Sequence, residues 1–328
     1  MCKIFTCVGF DNYKTLWKIA GFAGPIITRY DNDGFGMAGY SPESKKMWTE
    51  KFINPEDAWK IEKMEQGKLF RKTGKRNDNV STLLTHARLK TSSKIIQNTH
   101  PFVRNNTALI HNGVVEKHGM KFHEGTCDSE GILTAYLSLN ITHNPDNYKF
   151  LHETLLRGNG YFACCVLSKS NGSYCVDIFK SSSTQLYEVT VKNVKGFIYS
   201  TSIEYAKDAI KLAGYKLDDY FAVPNNTLLR RDATTGKMIL EMKAATLSSK
   251  YDYSHTKYST YYNTETSNRN YREYDSWMSE NANSGVSQKK RKTTPITNSV
   301  KSRYSKIARE LEDVHEIVKS VNNKELLN

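Results

Sequence analysis

A thiol at position 2 can carry its own base. Removal of Met1 would give Cys2 a free α-amine, and an amine with an ordinary pKa of about 7.7–8 can take the thiol proton near neutral pH, directly or through a water. Only position 2 permits this arrangement, and cysteine is small enough for methionine aminopeptidase to expose it. Four motifs downstream hold the other groups such a nucleophile would need. Arg88, in Thr85-His86-Ala87-Arg88, can hold a carboxylate through two parallel charge-assisted hydrogen bonds, which a Lys could not reproduce. Asn112 and Gly113, in His111-Asn112-Gly113, pair a side-chain amide with a backbone N–H, the kind of donor pair that stabilises a tetrahedral oxyanion. Asp128, in Cys127-Asp128-Ser129-Glu130, can accept hydrogen bonds from an ammonium. In Asn98-Thr99-His100-Pro101-Phe102, Pro101 restricts His100 to an extended or turn conformation and so aims its ring.

Each motif has an ordinary structural alternative. A second-position Cys is usually inert, an isolated Arg forms a surface ion pair, Asn-Gly makes a hairpin turn, and a carboxylate at a helix start caps the helix. Taken together, a thiol for attack, Arg for a carboxylate, Asp for an amine and Asn-Gly for an oxyanion are the parts needed to bind an α-amino acid and cleave its side-chain amide. Glutamine is the substrate that fits.

The elements that must position these groups are legible from periodicity and turn residues. Residues 3–10, 36–40, 83–87, 108–111, 162–167, 174–179, 186–191 and 196–200 read as strands, with a last β segment at 227–242. Residues 54–66, 128–140 and 203–213 read as helices, with Asp128 as N-cap of the second and Asn112-Gly113 as a strong turn pair. Strand runs interrupted by helices in pairs predict two packed sheets with helices outside, an α+β architecture.

Composition sets the frame. A chain of 328 residues with 38% apolar content can bury one domain of about 250 residues and carry an appendage. Residues 1–245 read as that domain. Residues 246–301 are rich in Ser, Thr, Tyr, Asn and Lys and hold too little aliphatic surface to offset the entropy of ordering, so a disordered polar and basic linker is expected. In residues 302–328, Tyr304, Ile307, Leu311, Val314, Val318 and Val321 form one apolar stripe on a short C-terminal helix. Such a helix docks on its own domain, in a coiled coil or on another protein.

The formal charge of +13 is mostly dispersed; its one dense run, Lys289-Lys290-Arg291-Lys292, reads better as a solvated linker than as a nucleic-acid signal. Six cysteines show no C-x-x-C spacing, and no ligand spacing surrounds His111, His118 and His123, so reduced thiols, no metal and no cofactor are expected. No apolar run is long enough for a membrane span, and the first residues do not form a secretory signal. The expected compartment is the cytoplasm, a host cytoplasm if the Asn-, Lys- and Tyr-rich coding bias is viral.

The order Cys2, Asp33-Gly34-Phe35-Gly36, the Arg88 motif, the His100 motif, Asn112-Gly113 and Asp128-Ser129-Glu130 resembles the class II glutamine amidotransferases, the N-terminal-nucleophile glutaminase family, over about residues 2–240. The resemblance implies a four-layer αββα sandwich of two antiparallel sheets. It implies attack by Cys2 on the glutamine amide, an oxyanion held by Asn112 and Gly113, the glutamine carboxylate on Arg88, its α-amine on Asp128, and a pocket lined by Thr91 and supported by His100. Lys3 and Leu89 stand where members feeding amino-sugar or asparagine synthesis carry Gly and an aromatic residue. The His100 motif instead looks like that of stand-alone members, some of which hydrolyse γ-glutamyl amides. Residues 246–328 lack a phosphate loop, which places any ammonia-accepting synthase on another polypeptide, held by this tail. An inactive interaction protein that keeps the fold is the third reading.

Overall fold

Apolar side chains on both faces mark the central strands of this chain as buried between layers, and the computed structural model shows which layers. It describes residues 2–29, 31, 33–55, 79–89, 95–115, 127–157 and 160–244. Thr91, the body of the helix expected at 54–66, the linker at 246–301 and the helix at 302–328 lie outside the described residues.

The elements in chain order are β1 (Lys3–Val8), α1 (Tyr13–Thr28), β2 (Phe35–Ser41), β3 (Lys46–Phe52), β4 (Thr82–Ala87), β5 (Phe102–Arg104), β6 (Thr107–Val114), α2 (Asp128–Ser138), α3 (Tyr148–Arg157), β7 (Tyr161–Ser170), β8 (Ser173–Lys180), β9 (Tyr187–Val191), β10 (Phe197–Ser200), α4 (Ile203–Leu212), β11 (Leu217–Ala222), β12 (Thr227–Asp232) and β13 (Met238–Lys243). They build a seven-stranded sheet in the order β11-β9-β10-β1-β4-β2-β3 and a six-stranded sheet in the order β13-β12-β8-β7-β6-β5. Both sheets are antiparallel.

Three apolar clusters separate four layers. Phe5, Cys7 and Leu83 of the first sheet pack with Leu16, Ile19 and Ala23 of α1 and Ala206 and Ile210 of α4. Ile4, Val8 and Leu84 face the other way, onto Ala108, Ile110, Ala163 and Cys165 of the second sheet. The far side of that sheet, with Leu109, Cys164 and Phe179, is covered by Ile132, Leu133 and Tyr136 of α2 and Leu151 and Leu155 of α3. Each fully buried aliphatic or aromatic side chain contributes about 1.5–3 kcal/mol relative to exposure. The expected αββα sandwich is the architecture of this chain.

Two local expectations are corrected. Asn112 and Gly113 make no turn: they lie inside β6, paired with Ala163 and Phe162. The β5–β6 hairpin turns instead at Asn105 and Asn106, whose φ values of 50° and 56° suit a tight primed turn. Asp128 is not the N-cap of α2; Cys127 holds that position without a side-chain cap bond. Asp128 is the first helical residue, where its carboxylate accepts from Ser129 N–H at 2.9 Å and from Val115 N–H at 2.8 Å. It therefore ties the helix start to the end of β6.

A buried ion pair braces the second sheet. Arg230 of β12 meets Asp177 of β8 at 2.6 Å, and Tyr136 of α2 donates to the same carboxylate at 2.6 Å. Arg230 also donates to the carbonyls of Thr142 and Ile141, each at 3.0 Å, so every charged group in the network is partnered.

Candidate active site

Strand alternation decides which residues face the space between the sheets. In β1 and β4, Ile4, Val8 and Leu84 point to the inter-sheet core, while Phe5, Cys7, Leu83 and Ala87 point to the helices. Successive side chains alternate across a strand, so Cys2 at the head of β1 and His86 and Arg88 at the end of β4 fall on the inter-sheet side. In β6, Ala108 and Ile110 face between the sheets and Leu109 faces α2, which puts Asn112 between the sheets and His111 against α2. The register Lys3↔Ala87 and Ile4↔His86 then sets Cys2 beside Arg88.

The local contacts agree. The backbone N–H of Leu89 donates to Cys2 Sγ at 3.3 Å, and the thiol donates to the Leu89 carbonyl at 3.4 Å. Arg88 is buried, and its backbone is fixed by two bonds to the start of β2: its N–H donates to the Gly34 carbonyl at 2.8 Å and its carbonyl accepts from Asp33 N–H at 2.9 Å. The Asp33-Gly34-Phe35-Gly36 segment thereby fixes the backbone at the candidate carboxylate-binding residue. Gly36 serves a second purpose: a Cβ there would sit 1.9 Å from the His100 carbonyl, so only glycine lets the His100 loop lie on β2. The His100-Pro101 peptide is cis.

Gly113 has a φ of +144°, and a Cβ on it would sit 1.9 Å from the Tyr161 carbonyl. Its partner Phe162 turns its own N–H and C=O to Ser181 on the opposite side, which directs the Gly113 backbone to the outer edge of β6. β5 covers that edge only as far as Leu109. Next to it, Asn112 is buried and its Oδ1 has no hydrogen-bond partner among the described residues.

Three buried histidines join the two sheets. His86 Nε2–H donates to the His111 carbonyl at 2.9 Å, and the His86 and His100 rings lie 3.7 Å apart. Ser129 Oγ sits between His100 Nε2 at 2.9 Å and His111 Nδ1 at 3.0 Å. Burial drives the pKa of His86 down to about 3 and lowers those of His100 and His111 as well, with their mutual repulsion adding to the effect at His86 and His100. All three rings are neutral at pH 7. Among the described residues no group of three or more His, Cys, Asp and Glu is placed to hold a metal.

The electrostatics of Cys2 call for a base. Desolvation of its thiol, opposed by the Leu89 hydrogen bond and reinforced by the nearby Asp31 carboxylate, pushes its pKa up to about 11. Asp31 is buried, and burial, with Asp33 adding to it and Lys3 opposing it, raises the pKa of its own carboxyl. Sequence reasoning passed over Asp31, although Asp31 and Asp33 place two carboxylates just before β2 in the chain. It also passed over His86 and Ser129 as individual groups, because neither has a spacing that announces its partner.

The structure thus brings Cys2, Arg88, Asn112, Gly113, His100 and Asp128 to neighbouring strand and helix ends; Thr91 is outside the described residues. No protein-family model and no curated protein sequence matches the chain. Among solved structures it is similar to the glutamine phosphoribosylpyrophosphate amidotransferase from B. subtilis, complexed with ADP and GMP, with a TM-score of 0.53 and 13% identity over 75% of this chain and 50% of that one. It is similar also to a structure described as the allosteric regulatory enzyme of purine biosynthesis, with a TM-score of 0.50 and 14% identity over 75% of this chain and 50% of that one. The chain spans half the length of these structures, and at such identities the likeness is one of fold. The shared fold is a four-layer αββα sandwich of two antiparallel sheets.

Proposed function

We propose that the chain is a class II glutamine amidotransferase or glutaminase in which Cys2 is the nucleophile. The observation that carries this reading is the shared location of Cys2, Arg88 and Asn112-Gly113: the Cys2–Leu89 contacts and the His86–His111 bond bring the ends of β1, β4 and β6 together. A thiol with a pKa of about 11 needs a base, and the α-amine created on Cys2 by loss of Met1 supplies it.

In this reading Arg88 holds the glutamine carboxylate and Asp128 its ammonium. The thiol proton passes to the α-amine, sulfur attacks the side-chain amide carbon, and Asn112 and Gly113 N–H stabilise the oxyanion. The ammonium returns its proton to the leaving nitrogen, the C–N bond breaks, and ammonia departs from a glutamyl thioester. Water, deprotonated by the same amine, then attacks the thioester and releases glutamate and the thiol. Among the described residues no helix is long and apolar enough to cross a membrane. Residues 246–328 are the segment proposed to hold an ammonia-accepting enzyme, a role supported by their basic run and apolar stripe. Loss of co-purifying partner on removal of those residues is the expected result; retention would contradict it.

The test is purified protein with glutamine and a panel of γ-glutamyl amides, assayed for glutamate. Intact mass lacking Met1 and release that disappears in Cys2→Ala support the reading. Retained Met1, or no Cys2-dependent release from any amide of the panel, overturns it.

A further inference from the structure

We propose that Ser129 is a positioning residue for the oxyanion donors, acting through His111. The inference rests on the glutaminase reading and deepens it by naming what holds Asn112 and Gly113 in place. Among the described residues β6 reaches Asn112-Gly113 as an edge strand, because β5 pairs only with residues Thr107–Leu109. An unpaired edge has no ladder bonds on its outer side to fix the direction of its amides. Yet an oxyanion donor must be aimed within a fraction of an ångström to be effective.

His111, the residue before the donor pair, is gripped twice, at its carbonyl on the open edge and at its ring on the α2 side. Its carbonyl accepts from His86 Nε2–H at 2.9 Å, and its Nδ1 meets Ser129 Oγ at 3.0 Å. Ser129 is itself fixed: its N–H donates to Asp128 Oδ1 at 2.9 Å, and its Oγ lies 2.9 Å from His100 Nε2. The proton count makes this a directed bridge. Ser129 has one hydroxyl proton and sits between two neutral imidazoles, so it donates to one ring nitrogen and accepts N–H from the other. A residue without the hydroxyl leaves His100 Nε2 and His111 Nδ1 without this bond, and the far nitrogens, His100 Nδ1 and His111 Nε2, have no partner among the described residues to compensate. The bridge and the His86 bond together replace the missing strand neighbour at the point where the oxyanion pair begins.

The clamp affects only chemistry that develops an oxyanion. Amide hydrolysis forms one; alkylation of Cys2 by iodoacetamide does not, since it displaces iodide in a single step. In full-length protein, Ser129→Ala is expected to lower kcat for glutamine about 10- to 100-fold, with KM within about threefold and the rate of Cys2 alkylation unchanged. Ser129→Thr, which keeps the hydroxyl, is expected to restore kcat to within about threefold of wild type, separating the role from a general packing defect. Unchanged kcat in Ser129→Ala overturns the proposal while leaving the glutaminase reading intact, as does parallel loss of alkylation and hydrolysis or failure of Thr to rescue. A wild-type protein that alkylates at Cys2 but hydrolyses no γ-glutamyl amide overturns the reading itself, and the proposal with it.

Discussion

His86 Nε2–H donates to the His111 carbonyl at 2.9 Å, and this one bond runs from the first sheet to the second. It lies two residues before Arg88 on one strand and one residue before Asn112 on the other. The separation between the candidate carboxylate site and the candidate oxyanion site is therefore set by a buried histidine, with the tilted His100 ring packed against it and Ser129 holding His100 from the α2 side.

That arrangement makes the fold acid-sensitive. A histidine whose pKa is depressed in the folded state contributes stability that is fully present above its unfolded value, about 6.5, and is lost as pH falls toward the folded value. His86, at about 3, and His100 and His111, also lowered, all act in this direction. His152, lowered by its own burial, acts in the same direction, while Asp31, with its raised carboxyl pKa, opposes them. Unfolding free energy from urea titrations is expected to fall as pH drops below about 6, by about 1.4 kcal/mol per pH unit for each histidine that the fold keeps neutral. A flat profile between pH 7 and pH 5 would contradict neutral burial of the cluster.

Gly113→Ala tests the conformation of the oxyanion strand. The φ of +144° and the 1.9 Å approach to the Tyr161 carbonyl leave no room for a methyl group. The change is expected to cost about 3 kcal/mol or more in urea-induced unfolding and to abolish amide hydrolysis. A cost below about 1 kcal/mol would show that β6 does not adopt this geometry.

Asp177→Asn probes the buried brace. It leaves the Arg230 guanidinium without its carboxylate and is expected to destabilise by about 3–5 kcal/mol. Replacing both partners by Leu is expected to cost less than the single change, since no charge is then stranded. A single-variant cost under about 1 kcal/mol would refute the pairing.

Arg88→Lys addresses substrate binding. A Lys presents a point charge where the proposed site needs a planar fork. KM for glutamine is expected to rise about tenfold or more with a smaller change in kcat, read from steady-state kinetics. Unaltered KM would remove Arg88 from the carboxylate site.

Much of the sandwich was legible because its central strands are short runs bounded by turn residues and buried on both faces. The head of β1, the end of β4 and α2 fell within a few residues of their expected positions. What escaped had specific causes. α1 went unassigned although Asn12 caps it and Leu16, Ile19, Ala23 and Ile27 make a helical stripe, because Pro25 interrupts the pattern near its end. β3 and β11 are edge strands with half-exposed or exposed faces and little alternation to detect. α3 is short and carries exposed Phe150 and Leu156, which blur its amphipathic face.

Asn112-Gly113 misled for the opposite reason. The pair is a strong turn signal in isolation, but β6 continues through it because Gly113 is needed for close approach to Tyr161, not for a reversal. Cys2, Arg88, Asn112 and Asp128 were found as chemistry, through their types and order. His86, Ser129 and Asp31 were not, since their roles come from contacts between segments far apart in the chain that only the sheet register creates.

The most direct measurement is glutamate release from glutamine by protein whose intact mass shows Cys2 as the first residue, run beside Cys2→Ala and beside protein in which Met1 is retained. Turnover is expected in the first alone, because only there do thiol and free α-amine share one residue. Equal release by all three, or release by the Met1-bearing form, would contradict it.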